Sequence, residues 1–416
     1  MSDGARVERP RGTHDVTPAE QPRWRLILAE AERLCALYGY RPITTPGFEE
    51  TALFERTSGP GSDVVQKETY TFEDRSGRSL TLRPEGTAPI CRAYVDHGMH
   101  REPQPVKLYT VGPMYRYSAP QRGRFREHWQ LSVEAIGSDD PAVDAEVITL
   151  YESLLGRLGI TAFRLDLNSI GCRECRPAYL ARLGEWLAAN ADRLDEETRT
   201  KAETSPLRVL DNIDAKPEAV REALLEAPTV GESLCEACRE HFASVRAYLD
   251  AAGVGYKLVP TLVRGLDYYV RTTWEFVGPG KGAQSALSGG GRYDGLVEEI
   301  GGPAAPGVGF GAGIERLVLA LEQAGVTQEA PRTDAFFVLD GGPRERVVGW
   351  LRELRRSGLA VDMDYAGRST KGQLTQAARL GAALTVVVGA ERATIRRTDG
   401  DDEEVGLDEL LERIAP

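Results

Sequence analysis

Upstream of residue 330 strand-like stretches follow one another with few helices between them, whereas downstream strand and helix alternate. "ETYTFED", "SLTLRPE", "VKLYTVGPMYR" and "WQLSVEAIG" read as strands of an antiparallel sheet, with "GTAPICRAYVDHG" as a helix among them. "EQPRWRLILAEAERLCALYG" and "PAVDAEVITLYESLLGRLG" carry helical periodicity, and "YRPITTPGFEE" is extended and broken by proline. After "VTQEAPRTD", the stretches "AFFVLD", "AVDMDY" and "LTVVVGA" alternate with helices over about 344–357 and near 371–380. The two patterns call for two cores: an α+β domain on an antiparallel sheet and a small α/β domain. Residues 172–257 are mostly helical and interrupt the first domain. The expected division is therefore 1–171 and 258–328 for the sheet domain, 172–257 for an insertion and 331–416 for the C-terminal domain.

The 416 residues, 41% hydrophobic and 27% charged, suit domains that each bury a core. A net charge of -12 argues against indiscriminate binding to nucleic acid, which needs clustered cations. Two basic patches stand out against it: residues 344–397 carry 11 basic against 5 acidic side chains before the acidic "DGDDEE", and residues 116–126 hold four arginines and no acid. No apolar run is long enough to span a bilayer, and the N-terminus lacks a signal-peptide core, so a cytoplasmic location and no membrane partner are expected. Six cysteines in such a chain do not read as a disulfide framework. Cys172-x-x-Cys175 and Cys235-x-x-Cys238 have the pattern of a four-thiolate zinc site, although the 59 residues between the pairs exceed the usual ribbon spacing. Either one structural zinc or four reduced thiols satisfies that pattern.

Chemistry concentrates in a few stretches. In "LVRGLDYYVRTTWEF", residues 262–276, the second half alternates, with Val270, Thr272, Trp274 and Phe276 on one face and Tyr269, Arg271, Thr273 and Glu275 on the other. The first half breaks the rule by crowding Arg264, Gly265, Asp267, Tyr268 and Tyr269 at one point. "LTLRPEGTAPICRAY" sets Arg83 and Glu85 at a strand end and Thr87 at a helix start, where an acid also favours the helix dipole. On "WQLSVEAIG", Gln130, Ser132 and Glu134 share a face opposite Leu131, Val133 and Ala135, and Arg116 and Arg124 flank the preceding loop. Together these suit an anionic ligand that carries an amine. "SALSGGGRYDGL" permits close backbone approach. "GFGAGIER" sets Arg316 in the first turns of a helix behind glycines, which suits phosphate. No P-loop is present, so arginines rather than a Walker lysine would hold phosphates.

In this order the elements resemble class II aminoacyl-tRNA synthetases, and "LVRGLDYYVRTTWEF" with "SGGGRYDGL" closely resembles the two signature blocks of the histidyl-tRNA synthetase family. "TLRPEGTAPICRAY", "PMYRY" with the arginine loop, and "GVGFGAGIERL" are similar to its other blocks. The resemblance implies a six-stranded antiparallel catalytic sheet, a helical insertion, a C-terminal α/β anticodon-binding domain and a homodimer with its interface block near Pro46. It implies ATP-dependent ligation of L-histidine to tRNA(His) through a histidyl-adenylate, with Mg2+ bridging phosphate oxygens. On the matching positions, Arg264 and Arg116 are the catalytic arginines. Arg116, Arg124 and Arg316 bind ATP. Glu85, Thr87, Gln130, Glu134, Arg264, Tyr268, Tyr269 and Tyr293 contact histidine, with Glu134 and Tyr269 on the imidazole. Two departures fall in the loop that resembles the family's reader of the tRNA acceptor end: Ser118-Ala119 where many members have Glu-Arg, and Glu127-His128-Trp129 where Gln-Phe-His is usual. The rival is a histidine-sensing paralogue such as the regulatory subunit of ATP phosphoribosyltransferase. It predicts loss of the catalytic arginine and of the C-terminal domain, and this chain has both.

Overall fold

The computed structural model describes residues 7–58, 68–119, 121–211, 213, 216–280, 285–327, 332–397 and 400–414. The chain divides into two compact units, Met1–Thr327 and Gln328–Pro416. The expected linker at 328–331 lies outside the described residues, as do Pro120 of the arginine loop and Asp399 of the acidic stretch.

The first unit is organised by an eight-stranded sheet ordered Arg41–Pro42, Val106–Tyr115, Glu127–Ile136, Gly307–Gly313, Ala286–Arg292, Val270–Val277, Arg164–Ser169 and Lys257–Leu258. The six inner strands pair antiparallel, and a two-residue strand adds in parallel at each edge. Thr71–Glu73 and Ser79–Leu82 do not join this sheet. With Phe48–Glu50 they form a separate three-stranded sheet in which Ser79–Leu82 is the central strand. Thr71–Glu73 is exposed at every position and offers no apolar face to the central core, which explains the departure from the expected single sheet.

Alternation along the inner strands sends Leu131, Val133, Ala135, Trp274, Phe276, Val308, Phe310 and Ala312 into one buried cluster. Helices Gln21–Leu37, Pro141–Arg157, Glu236–Ala251 and Ile314–Gln323 complete that cluster on the same face of the sheet. Pro141–Arg157 starts where Asp140 caps the Ala142 amide at 2.9 Å and Pro141 supplies a preset φ. Its Val147, Tyr151, Leu154 and Leu155 repeat at helical spacing and point into the core. The opposite sheet face is left for polar side chains.

Between the Arg164–Ser169 and Lys257–Leu258 strands the chain forms helices Arg176–Ala189, Glu196–Thr204, Glu218–Leu225 and Glu236–Ala251. Val245 and Leu249 of the last belong to the sheet-domain core, while Tyr179, Leu183, Val209 and Leu224 build a second cluster. That second cluster also contains Tyr94, Val263, Tyr268, Tyr269 and Tyr293.

In the second unit a five-stranded sheet runs Val361–Met363, Ala335–Leu339, Leu384–Val388, Arg392–Arg397, Glu403–Gly406. The first three strands are parallel, as strand and helix alternation requires. The last two are antiparallel additions to that pattern. Their signal is short: Ala393, Ile395 and Val405 face the core between charged residues. This pairing also consumes the acidic stretch, since Arg392 meets Glu404, Arg396 meets Asp402 and Arg397 meets Glu403, each at 3.4–3.5 Å.

Candidate active site

Eight residues of the free sheet face are set by the register alone. Gly309 lies opposite both Glu134 and Gly291, and Gly311 opposite Ser132 and Gly289; Glu275 and Thr273 continue the rows on the next strand. The glycines are a floor on which larger side chains lie. A β-carbon at Gly309 would run into the Glu134 carboxylate, at Gly311 into the Gln130 amide, at Gly289 into the Arg264 guanidinium, and at Gly291 into the Tyr269 ring. At Gly307 it would meet the Tyr293 ring. Each functional side chain is thus held flat against backbone, a closeness that any other residue would forbid.

At one end of this floor Glu134 is fully buried. It accepts from Thr87 Oγ1 and from the Tyr293 hydroxyl, each at 2.6 Å. Burial raises its pKa to about 8 against the pull of those two donors, and Glu85 adds to the rise. Glu85 accepts from the Thr87 and Ala88 amides at 2.5 and 2.8 Å, so it does cap the helix Thr87–Asp96 while also lining the adjoining cavity. Tyr268 packs against both Tyr269 and Tyr293, with ring centroids 4.7 and 6.0 Å apart, and burial pushes all three phenols above their ordinary pKa. They are neutral donors. Arg264 donates to Glu275 at 2.8 Å, and its buried Nε has no partner among the described residues. A cavity of about 210 Å3 separates these groups from Arg116 and Arg316, and Glu134 and Tyr293 lie behind its wall.

A second cavity of about 230 Å3 is lined by Arg116, Arg124, His128, Glu315 and Arg316. Arg116, Gly313 and Arg316 border both spaces, so the two adjoin. Arg116 is oriented by the Pro84 carbonyl at 2.7 Å and Arg124 by Glu68 at 2.9 Å. His128 is driven down to about 3 by burial and then by Arg116 and Arg124, so it is neutral and adds no charge at physiological pH. Glu315 accepts from the Trp129 amide at 2.9 Å; its other oxygen is buried without a partner among the described residues, and burial raises its pKa to about 7. The first space therefore offers a carboxylate, phenols and Arg264, and the second three guanidinium groups, two of which border both.

A family model described as "Histidyl-tRNA synthetase" matches residues 12–317, and one described as "Anticodon binding domain" matches residues 344–415. The chain belongs to the histidyl-tRNA synthetase family. It is 46% identical over 415 residues to a protein named histidine–tRNA ligase from Desulforudis audaxviator, covering 98% of both chains. To the protein of the same name from Moorella thermoacetica it is 48% identical, covering 96% of each. The solved apo histidyl-tRNA synthetase of S. aureus is 36% identical with a TM-score of 0.81, covering 99% of this chain and 100% of that one.

On the histidyl-tRNA synthetase pattern, the structure gathers Glu85, Thr87, Gln130, Arg264, Tyr268 and Tyr269 around the first cavity and Arg116, Arg124 and Arg316 around the second. Arg83 is not in the site. It is buried and stitches Pro113 to Thr45 from beneath. Two residues of this region escape sequence reasoning. Alternation places Glu275 on the correct strand face, yet its pairing with Arg264 depends on how the loop 262–269 folds back. Glu315 stands beside Arg316 in "GIER", where the spacing shows only the start of a helix. Of the family departures, Ser118 is buried and lines the second cavity with His128, and beside them Arg126 stacks on Tyr117 at 3.8 Å.

Away from this floor, Cys172, Cys175, Cys235 and Cys238 converge so that all four Sγ atoms lie within 4.8 Å of one another. Three of the separations are 3.7, 3.8 and 3.9 Å. No disulfide links them.

Proposed function

We infer that this chain activates L-histidine with ATP to histidyl-adenylate, releasing pyrophosphate, and transfers the histidyl group to tRNA(His), releasing AMP. The observation that carries this reading is Arg264, laid over Gly289 in the cavity that Glu85, Tyr268 and Tyr269 share with Arg116 and Arg316. Activation must bring a substrate carboxylate to the α-phosphorus of ATP, so two anions approach, and fixed cations lower that barrier without a protein nucleophile. Arg264 neutralises both anions. Arg116 holds the α-phosphate as the carboxylate oxygen attacks and pyrophosphate leaves; Arg124 and Arg316 take the departing charge. Glu85, Thr87 and Gln130 hold the α-amino group, and Glu134 with Tyr269 reads the ring, supported by Tyr268 and Tyr293. The relatives named histidine–tRNA ligase at 44–48% identity favour this activity over the histidine-sensing alternative.

Mg2+ suits the second cavity, because the unpartnered Glu315 oxygen is the hard ligand such an ion takes. Bound there with ATP, it would draw charge from the phosphate oxygens. A tetrahedron with Zn–S bonds of about 2.3 Å has sulfur–sulfur edges of roughly 3.8 Å; three of the six edges among the four cysteines are 3.7–3.9 Å and all lie within 4.8 Å. They hold one structural zinc that ties the root of the insertion together. Metal analysis of untagged protein should find about one equivalent by the four-ligand stoichiometry; less than about a tenth would reject it.

The working form is a homodimer in the cytoplasm. Phe48 and Phe72 on the three-stranded sheet are exposed and ring-paired at 6.3 Å, which suits burial against a second copy near Pro46. The division into 1–171, 172–257, 258–328 and 331–416 is retained as the working assignment, with tRNA contacts in the last. Pyrophosphate exchange measured with each of the twenty amino acids tests the central reading. Histidine alone should stimulate it, and stimulation by another amino acid or by none would overturn it.

A further inference from the structure

The loop at residues 263–268 carries Arg264 and the first tyrosine but lies outside every strand and helix, so no sheet ladder holds it. Its polar anchors are side chains. Asn168 of the sheet holds the Leu262 carbonyl at 2.9 Å at the loop's start. Arg264 itself is tied to Glu275 of the sheet at 2.8 Å, and two further anchors come from the insertion. Arg208, in the short helical turn Pro206–Leu210, is only 5% exposed; it donates to the Gly265 carbonyl at 2.7 Å and to Asp267 Oδ1 at 2.9 and 3.1 Å. Arg176, directly after the Cys172–Cys175 pair, donates to the Tyr269 carbonyl at 2.5 Å and also holds Ile170 and Gly171.

We propose that Arg208 and Arg176 are positioning residues for histidine recognition, two guanidinium clamps by which the insertion fixes the loop that presents Arg264 and Tyr269. A loop with no ladder of its own stays in place only through such contacts, and a planar fork can hold a carbonyl and a carboxylate at once. Packing is in keeping with the polar contacts, because Val263, Tyr268 and Tyr269 share one apolar cluster with Tyr179, Leu183 and Val209 of the insertion as well as with Tyr94, Ile136 and Tyr293 of the sheet domain. The clamps act on the amino-acid side of the two adjoining cavities. They touch none of the three arginines of the other. The proposal rests on the reading of this loop as the histidine pocket.

The test is pyrophosphate exchange by full-length Arg208→Ala, Arg208→Lys and, as a control, Arg193→Ala, whose ion pair with Glu226 is exposed. Arg208→Ala should raise KM for histidine roughly tenfold or more, about 1.4 kcal/mol, and leave KM for ATP within about twofold. Arg208→Lys should fall between, since an ammonium replaces the charge but not the fork. Arg193→Ala should match the unsubstituted protein. General loosening would shift both constants together, and that result, or a histidine KM within about twofold in a folded Arg208→Ala, overturns the proposal. Should Arg208→Ala fail to fold, Asp267→Ala, at a half-exposed side chain, removes the acceptor at one end of the clamp. It carries the same expectation, and an unchanged histidine KM overturns the proposal equally. Absence of histidine-stimulated exchange in the unsubstituted protein would instead show that the pocket reading is at fault.

Discussion

In the proposed pocket, imidazole recognition turns on Glu134. Each of its oxygens already accepts one hydrogen bond, yet a carboxylate oxygen has a second lone pair for a ring N–H. Glu134→Gln keeps the shape but loses the charge and one acceptor, so KM for histidine should rise far more than KM for ATP. Arg264→Ala should chiefly lower the rate of activation. A folded Glu134→Gln with a histidine KM within about twofold, below about 0.5 kcal/mol, would remove Glu134 from the pocket. Its raised pKa also has a sign. Between its ordinary 4.5 and about 8 the folded protein keeps a proton that the unfolded chain has released, so this group's contribution is greatest below 4.5 and is lost as pH rises through 8. Histidine binding runs the other way, since it needs the carboxylate. Calorimetry near pH 7 in buffers of different ionisation enthalpy should therefore show proton release on binding, absent in Glu134→Gln. Equal release by both proteins would assign the proton elsewhere.

At the scale of elements, two glycine-dense strands are the least ordinary part of the sequence, and their purpose is steric. Gly309→Ala would force a methyl against the Glu134 carboxylate and the Val133 carbonyl, and the latter is backbone in a central strand. A loss of about 1–3 kcal/mol is expected from such overpacking, together with a raised KM for histidine. Gly349, exposed inside helix Arg344–Arg356 with open space around it, should respond in the opposite direction, gaining roughly 0.8–1 kcal/mol as alanine. Thermal melts of the pair distinguish a glycine needed for space from one merely tolerated. The same contrast marks what the sequence lets a reader see. The alternation through Gln130 and Glu134, the helix after Asp140 and the break at Arg264 are legible because each is a local rule of period or capping. The three-stranded sheet, the Arg392–Arg397 hairpin and the Arg208 clamp are not. They depend on which surface a short segment finds, and residues 208 and 267 meet only after the insertion has folded.

At the scale of the whole chain, the two units divide one reaction between them. Every residue proposed for activation lies within Met1–Thr327, so pyrophosphate exchange is expected to need nothing from the second unit. Recognition of tRNA should depend on that unit, whose match is to an anticodon-binding domain. Its basic excess is narrower than the sequence suggests, because Arg392, Arg396 and Arg397 are matched by the acidic strand beside them. Among the described residues Arg352, Arg356, Lys371 and Arg379 are exposed and have no ion-pair partner, which leaves them to meet phosphates. A chain ending at Thr327 should accordingly keep histidine-dependent exchange and lose most tRNA charging. Replacing those four cations with alanine in the full-length protein should weaken tRNA binding and reduce its salt dependence by up to about four phosphate contacts, with exchange unchanged. Loss of the dimer could mimic the truncation result, so solution mass must accompany it. Full charging by a dimeric truncated chain would place tRNA recognition in the first unit instead.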